Sequence, residues 1–372
     1  MTNKAKQIVE NLLESAGIKI NGKNPWDIQI NNEDFYQRVL SQGSIGLGES
    51  YMDGWWDVKQ LDEFFNKLLS AKLDKKIVTF NLVLHTLKSK VINLQTKARS
   101  KIVAKQHYDI SNELYAKMLG KTMQYTCGYW RNSKTLDQAQ IAKLDLVCKK
   151  LNLKKGDKVL ELGCGWGYLA KYMAEKYGCE VTAVNISEEQ VKFARELTKH
   201  LNVKILKMDY RDVNLGEFDK VVSVGMCEHV GHKNYKTFFE VANKSLKKNG
   251  LFLFHTIGGN NSVTSIDPWL GKYIFPGAML PSVKQLSVAM EGLFVLEDWH
   301  NFGADYDKTL MAWFNNFDKS WPQFKLKYDL RFYRMFKYYL LCCAGSFRAR
   351  KNQLWQVVLS KDGLPGGYKS IR

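Results

Sequence analysis

No apolar run in this 372-residue chain approaches the roughly 20 residues that a bilayer-spanning helix requires. The sequence therefore excludes a helical membrane span and leaves attachment to a membrane surface open. It has no internal repeat and no low-complexity tract. Its seven cysteines form no CxxC pair and no regular spacing, which argues against a zinc ribbon and a disulfide framework. With no secretory signal at its start, they read as reduced thiols of a cytoplasmic protein. Acidic residues are scarce, 37 against 55 basic, for a net charge of +18. Such an excess attracts a polyanion, either nucleic acid or an anionic lipid surface, without choosing between them.

What is present centres on Glu161-Leu162-Gly163-Cys164-Gly165-Trp166-Gly167. The run follows a short apolar strand pattern and leads into a helical pattern beginning near Tyr168. Glycines at 163, 165 and 167 permit a tight turn and close approach of backbone to a ligand. A carboxylate at Glu161 is placed to meet the cationic amino group of an amino-acid-like ligand and would repel a pyrophosphate. That polarity favours S-adenosylmethionine (SAM) over a dinucleotide.

Apolar strand patterns recur near 158–162, 180–184, 203–207, 218–224, 250–257, 294–300 and 353–360. Helical patterns lie near 137–149, 168–177, 188–199, 235–247, 282–291 and 328–347. This alternation predicts an α/β fold, with a seven-stranded, mostly parallel sheet covered on both faces. Ligands in such sheets sit beyond the carboxyl ends of the strands. After the second strand, Asn185 is a neutral partner for ribose hydroxyls, and Ser187 with Gln190 has the spacing of a capping box. After the third, Asp209-Tyr210-Arg211 offers an acceptor for an adenine amino group or a solvated loop. After the fourth, Gly225 allows close approach, and Glu228 and His229 point to chemistry or to packing. The fifth ends at His255, a reaction-centre candidate or a hydrogen-bonded structural histidine.

Residues 5–75 read as a small helical region. Ile8, Leu12, Leu13 and Ala16 recur at helical spacing before Gly17, and Phe35, Val39 and Leu40 form another face. Trp55 and Trp56 suit either its core or a lipid contact. From Lys67 to Lys105 ten basic residues accompany one acid, Asp74, with leucine, valine and isoleucine interleaved. That pattern suits adsorption to an anionic bilayer or a linker helix with a solvated face. The expected division is a helical N-terminal domain at 1–75, a basic amphipathic linker at 76–106 and a catalytic domain at 107–372.

Several blocks closely resemble the cyclopropane fatty-acid synthases, SAM-dependent enzymes that modify bacterial phospholipids. They are Gly46-Leu47-Gly48-Glu49-Ser50-Tyr51-Met52-Asp53-Gly54-Trp55-Trp56, His107-Tyr108-Asp109, Met123-Gln124-Tyr125-Thr126-Cys127 and the glycine turn. Asn301-Phe302-Gly303-Ala304-Asp305-Tyr306 and Cys343-Ala344-Gly345-Ser346-Phe347-Arg348 complete the set. The glycine turn is common to SAM methyltransferases, whereas the other blocks are far more specific. The mycolic-acid cyclopropane synthases resemble residues 1–75 less well, which favours a phospholipid substrate.

The resemblance implies a Rossmann-like class I methyltransferase domain that adds a methylene from SAM across a cis double bond of a phospholipid acyl chain. It implies a bicarbonate ion as base, held by the backbone N–H groups of Cys127 and Ile257 and by Glu228, His255 and Tyr306. Cys343, in the last block, joins the catalytic candidates. The implied cofactor positions are Tyr125, Thr126, Gly163, Gly165, Asn185, Gln190 and Asp209, beside Glu161, Gly167, Tyr210, Arg211 and Gly225 from the strand ends. Tyr129, Trp130, Trp269, Tyr273, Phe275, Phe302 and Trp313 are candidate walls of a dry pocket, with ordinary core packing as the default reading of each ring. A homodimer at the cytoplasmic membrane surface is also implied. The alternatives are a nucleic-acid methyltransferase, disfavoured by the absence of an Asn-Pro-Pro-Tyr-like motif, and a non-catalytic lipid- or SAM-binding module.

Overall fold

The computed structural model describes residues 2–75, 95–96 and 112–372. The expected linker at 76–106, apart from Gln95 and Thr96, lies outside the described residues, as does His107-Tyr108-Asp109. The described chain forms two units. One contains residues 2–75, Thr264–Pro276 and Tyr306–Asn352; the other contains 95–96, 112–263, Gly277–Asp305 and Gln353–Arg372.

In the first unit, helix Thr2–Glu14 buries Ala5, Val9 and Leu13, spaced four apart, and leaves Ile8 40% exposed. The inward stripe is thus one residue out of phase with the one expected through Ile8 and Leu12. A two-residue strand β1 (Gln29–Ile30) pairs antiparallel with β2 (Trp56–Asp57). Trp56 is fully buried, and its indole N–H donates to Leu47 O and Ser50 Oγ, each at 3.1 Å. It packs against Phe35, Tyr51 and Phe64, so it belongs to the core; Trp55 lies under the Arg38 guanidinium, 4.6 Å from the ring.

Two long helices, Ala304–Ser320 and Leu330–Arg348, complete this unit. The first places Tyr306, Leu310, Trp313 and Phe317 on one buried face. The second approaches helix Leu61–Ser70 so closely that a Cβ on Gly345 would lie 2.5 Å from Asp62 O. Arg348 fixes that contact through a two-bond clamp on Asp307 and ion pairs with Asp62 and Glu63. The N-terminal helices therefore pack with segments that lie well beyond residue 107.

The second unit is built on seven strands: β3 (Lys158–Leu162), β4 (Glu180–Asn185), β5 (Val203–Lys207), β6 (Phe218–Val224), β7 (Leu246–Gly259), β8 (Val295–Asn301) and β9 (Asn352–Ser360). Their order is β5-β4-β3-β6-β7-β9-β8. Strands β5, β4, β3, β6 and β7 run parallel, while β8 and β9 pair antiparallel. Alternating residues feed two cores, one with Val159, Val181 and Val222 and the other with Leu160, Val184 and Val221. Both faces are therefore covered, as a parallel sheet demands.

Strand β7 starts at Leu246, whose register partner is Phe218, and this ends the preceding helix at Lys244 rather than 247. The chain leaves β3 toward β4 on one side and later returns to β6 on the other. The carboxyl ends of β3 and β6 thus flank the switch point where α/β sheets bind ligands.

Candidate active site

The glycine turn occupies the carboxyl end of β3. Gly163, Gly165 and Gly167 have φ of 83°, 52° and 84°, which a β-carbon strains. Two of the three are also sterically closed: a Cβ would lie 2.9 Å from Met226 Sδ at Gly163 and 2.8 Å from Ala194 Cβ at Gly167. At Gly165 nothing lies within 4 Å. Gly165 is therefore where a ligand can meet bare backbone.

Beneath the turn, Glu161 is 2% exposed, and its Oε2 has no hydrogen-bond partner among the described residues. Burial pushes its carboxyl up to about 8, against the pull of Lys143 and the Ala170 N–H. An unpartnered buried carboxylate oxygen is costly unless a cation or donor meets it.

At the end of β4, Asn185 Nδ2 donates to Gly165 O (3.1 Å) and to Gln190 Oε1 (2.9 Å), while Oδ1 accepts from Ser187 N–H (3.1 Å). Asn185 and Gln190 thus tie the turn to the next helix. Only half of the expected capping box forms: Ser187 Oγ accepts from Gln190 N–H, and the Gln190 side chain goes to Asn185. After β5, Arg211 closes back on Asp209 through Nε and Nη2, 2.8 and 2.6 Å, in a short 3-10 turn. Tyr210 packs edge-on against Phe238.

Gly225, after β6, has φ of 70°, and a Cβ there would lie 2.5 Å from Thr126 Cγ2. This brings the Tyr125-Thr126-Cys127 segment over the sheet edge. Two side chains that sequence reasoning missed hold it there. Lys143 Nζ donates to Thr126 Oγ1 at 2.8 Å and to Gln124 Oε1, and Gln140 Nε2 donates to Thr126 O at 2.9 Å. Both are fully buried, and burial holds the Lys143 ammonium down to about 7. Their signal was a glutamine and a lysine three apart on the inward face of helix Leu136–Lys150. The Tyr125 ring meets Tyr115 edge-on, and Cys127 is buried with its thiol donating to Gly128 O.

Glu228 lies in a one-turn helix, Cys227–Val230, just after β6. His255 lies within β7, which runs on to Gly259 rather than ending there, and is the register partner of Val224, the last residue of β6. Glu228 Oε1 accepts from Ile257 N–H at 2.7 Å, and Oε2 has no hydrogen-bond partner among the described residues. Burial raises this carboxyl to about 7, and the Ile257 N–H opposes the rise. The Ile257 N–H expected to face an ion is thus already donated to Glu228.

His255 is 1% exposed, with Gln356 Nε2 3.3 Å from Nδ1 and Nε2 unpartnered among the described residues. Burial beside Lys143 and Lys150 holds the ring neutral. As placed, Gln356 donates to Nδ1, which leaves the proton on Nε2 as a buried donor in need of an acceptor. Gln356 is a third residue the sequence did not point to.

Of the expected aromatic walls, Phe302 meets His255, 5.8 Å from the imidazole, and Tyr129 lies behind it, edge-on to Phe302 at 5.4 Å and to His300 at 5.9 Å. Trp130 lies on the same loop, and its N–H donates to Asp305. The others belong to the first unit. Trp269 packs at a tilt against Tyr273 and Tyr338, Phe275 meets Tyr339, and Trp313 meets Tyr306. Tyr306 and Cys343 are also in that unit; Tyr306 lies 4.5 Å from the Phe347 ring, and Ser346 Oγ donates to Cys343 O. His229 is exposed. Among the described residues no cluster of metal-ligating side chains occurs.

Comparison with known proteins gives a consistent result. The family described as mycolic acid cyclopropane synthetase matches residues 95–357. The chain is 52% identical over 367 residues to the cyclopropane-fatty-acyl-phospholipid synthase of Escherichia coli K12, covering 98% of this chain and 96% of that one. It is 36% identical to a probable fatty acid methyltransferase of Pseudomonas putida, over 70% of each chain. Among solved structures it resembles the cyclopropane synthase MmaA2 of Mycobacterium tuberculosis, with TM-score 0.66 and 27% identity, over 73% of this chain and all of that one. It also resembles mycolic acid cyclopropane synthase CmaA1 complexed with SAH and CTAB, with TM-score 0.64 and 29% identity, over 70% of this chain and 98% of that one.

Proposed function

The chain belongs to the mycolic acid cyclopropane synthetase family, and from that premise we propose that it converts the cis double bond of an unsaturated phospholipid acyl chain into a cyclopropane ring. The observation that carries the phospholipid reading is identity over nearly the whole length of a cyclopropane-fatty-acyl-phospholipid synthase, residues 1–75 included. The seven-stranded sheet and its helices have the class I methyltransferase architecture.

SAM, when bound, supplies an electrophilic methyl whose carbon becomes the third ring carbon after losing a proton, with S-adenosylhomocysteine released. In this proposal Glu161 Oε2 holds the cofactor's amino group, which its lack of a partner supports. Gly165 gives the cofactor backbone contact, and Gly163 and Gly167 shape the turn. Tyr125, Thr126 and Gly225 bound the methyl-bearing side, and Asn185 with Gln190 keeps the turn and the following helix in register. Asp209 meets the adenine, with Tyr210 and Arg211 fixing its loop. Lys143 and Gln140 act as positioning residues for the 124–127 segment. Precise alignment is where such a site gains most, because an isolated alkene is a weak nucleophile.

Bicarbonate, when bound, supplies a base for the departing proton. His255 Nε2–H, neutral and unpartnered, supports an anion at this position. Glu228 Oε2 accepts a hydrogen bond from the ion's hydroxyl, so the two anions share a proton instead of repelling. The Cys127 N–H completes the proposed set in this unit, and Ile257 N–H acts by orienting Glu228; Tyr306, in the other unit, is carried from the resemblance alone. Cys343 remains a candidate without a defined step. Phe302, at His255, and Tyr129 behind it exclude water and favour positive charge over their faces.

The proposal extends to reversible binding at the inner face of the cytoplasmic membrane, supported by the +18 charge and the basic stretch at 67–105, and to the homodimer that the resemblance implies. In it residues 1–75 and the 76–106 linker meet the bilayer while 107–372 carry the chemistry. The test is incubation with labelled SAM, bicarbonate and anionic vesicles of a cis-monounsaturated phospholipid. Acyl chains that gain one CH2 and lose the double bond support the proposal. Label recovered in nucleic acid instead, or in neither with SAM bound, would overturn it.

A further inference from the structure

Ten large hydrophobic side chains are exposed among the described residues, and the two most exposed are close neighbours: Leu326, 97% exposed, and Leu330, 67%. Leu326 lies in the turn that joins helices Ala304–Ser320 and Leu330–Arg348, and Leu330 is the first residue of the second helix. Scattered exposed leucines are ordinary. These two share one apex and are flanked by Lys319, Lys325 and Lys327, all exposed.

The apex is rigidly built. Phe324, 2% exposed, points inward, while the N–H groups of Phe324 and Lys325 bond to Trp321 O and those of Lys327 and Tyr328 to Phe324 O. Asp329 caps the second helix by accepting from Phe332 N–H at 2.7 Å. Behind the apex the rings of Tyr328 and Phe332 stack at 4.2 Å, and Trp321 stacks on Phe332 from the other side at 6.5 Å. The stem below is fixed by Phe317, stacked on Tyr333 and Phe336. Leu326 is therefore held outward by a turn whose other apolar residues are anchored.

We propose that residues 319–331 form a membrane-docking tip, with Leu326 and Leu330 entering the acyl region of an anionic lipid surface. Trp321 and Tyr328 then sit at headgroup level, and the three lysines meet the phosphates. The charge pattern selects this occupant. A symmetric contact with a second copy through the same apex would set Lys325 and Lys327 against their own equivalents, a like-charge arrangement. An anionic bilayer complements both the leucines and the lysines. The proposal rests on the reading that the substrate lies in a bilayer, and it assigns the docking surface to a part of the chain distinct from the basic stretch at 67–105.

The test is flotation of the full chain with phosphatidylglycerol-phosphatidylcholine vesicles, for the parent, Leu326→Asp/Leu330→Asp and Lys325→Glu/Lys327→Glu. The leucine pair should weaken vesicle binding by roughly tenfold or more, since two apolar side chains lose their buried site. The lysine pair should weaken binding to anionic vesicles and leave binding to pure phosphatidylcholine unchanged. Turnover on vesicles should fall with binding, while turnover on the same lipid dispersed in detergent holds at the parental rate, which also shows the fold intact. Vesicle affinity within about twofold of the parent for the leucine pair would overturn the proposal. So would a shift in sedimentation with vesicle binding unchanged, which would make the apex a contact between copies. Normal docking by a chain that adds no CH2 to any acyl group would leave the tip standing and remove the proposed reaction.

Discussion

Replacing Glu228 with glutamine separates the chemistry of this carboxyl from its structural effect, with opposite signs for activity and stability. In an unfolded chain the group ionises near its ordinary value of 4.5; in the folded protein burial raises it to about 7. Between those values the folded state binds the extra proton, so stability falls as pH rises through the window and the penalty is constant above it. A shift of this size corresponds to on the order of 3 kcal/mol, at about 1.4 kcal/mol per pH unit. Glutamine keeps the acceptor for Ile257 N–H and removes the ionisation. The variant should therefore match the parent near pH 4, below the unfolded value, and exceed it by on the order of 3 kcal/mol near pH 8. Paired denaturant titrations across that range read the difference. Turnover should fall by roughly 10²–10⁴ while SAM affinity changes little, because the carboxyl's proposed partner is the base. Parallel stability curves at all pH values would refute the burial argument. Equal losses of turnover and SAM affinity would refute the assigned role.

Gly225→Ala should weaken SAM binding and destabilise the fold, because a β-carbon 2.5 Å from Thr126 Cγ2 forces a shift of about 1 Å. Adding Thr126→Ser removes that methyl while keeping the hydroxyl for Lys143, so calorimetry should show rescue down to the residual strain of the positive φ, about 1–2 kcal/mol. Glu161→Gln should reduce SAM affinity by roughly tenfold or more and leave the affinity of an analogue lacking the amino group nearly unchanged; equal losses for both ligands would contradict the amino-group assignment. Lys143→Met should raise the KM for SAM by freeing the 124–127 segment, with kcat at saturation much less affected. A pure kcat loss would place Lys143 in the chemistry instead.

The sheet was legible because a strand buried on both faces is largely apolar, as Lys158–Leu162, Glu180–Asn185 and Asn352–Ser360 are, whereas the edge strands Val203–Lys207 and Val295–Asn301 carry charged residues and show it weakly. Strands of two residues, such as Gln29–Ile30, carry no periodicity to read. The Ala304–Ser320 helix presents Tyr306, Leu310, Trp313 and Phe317 at helical spacing, but interleaved Met311, Phe314 and Ala312 blur its stripe. Positions that chain neighbours dictate, such as the glycines and Ser187, were visible. Partners distant in sequence were not: nothing local says that the Ile257 N–H is taken by Glu228, or that Gln356 lies against His255. Lys143 and Lys150 were the hardest, because lysine in an amphipathic helix reads as a solvated face, and both are fully buried.

Those distant partnerships explain how the site stays unsatisfied without collapsing. Among the described residues, the buried carboxylate oxygens without a partner belong to Glu161 and Glu228, both next to strand ends at the switch point. Each carboxyl is held from behind, Glu161 by Ala170 N–H and Glu228 by Ile257 N–H, so neither can rotate freely to find its own donor. His255 is held likewise at Nδ1 with Nε2 left over. Leaving such groups unmet destabilises the apo fold by about 1–3 kcal/mol apiece, more for a charge. A ligand that supplies a cation at Glu161 should therefore stabilise the protein beyond its own contacts, since it also relieves the buried carboxylate. That relief is part of the cofactor's affinity, so thermal stabilisation by SAM should shrink in Glu161→Gln by the amount its higher Kd dictates, and a smaller loss would show that the carboxyl is not what the cofactor relieves.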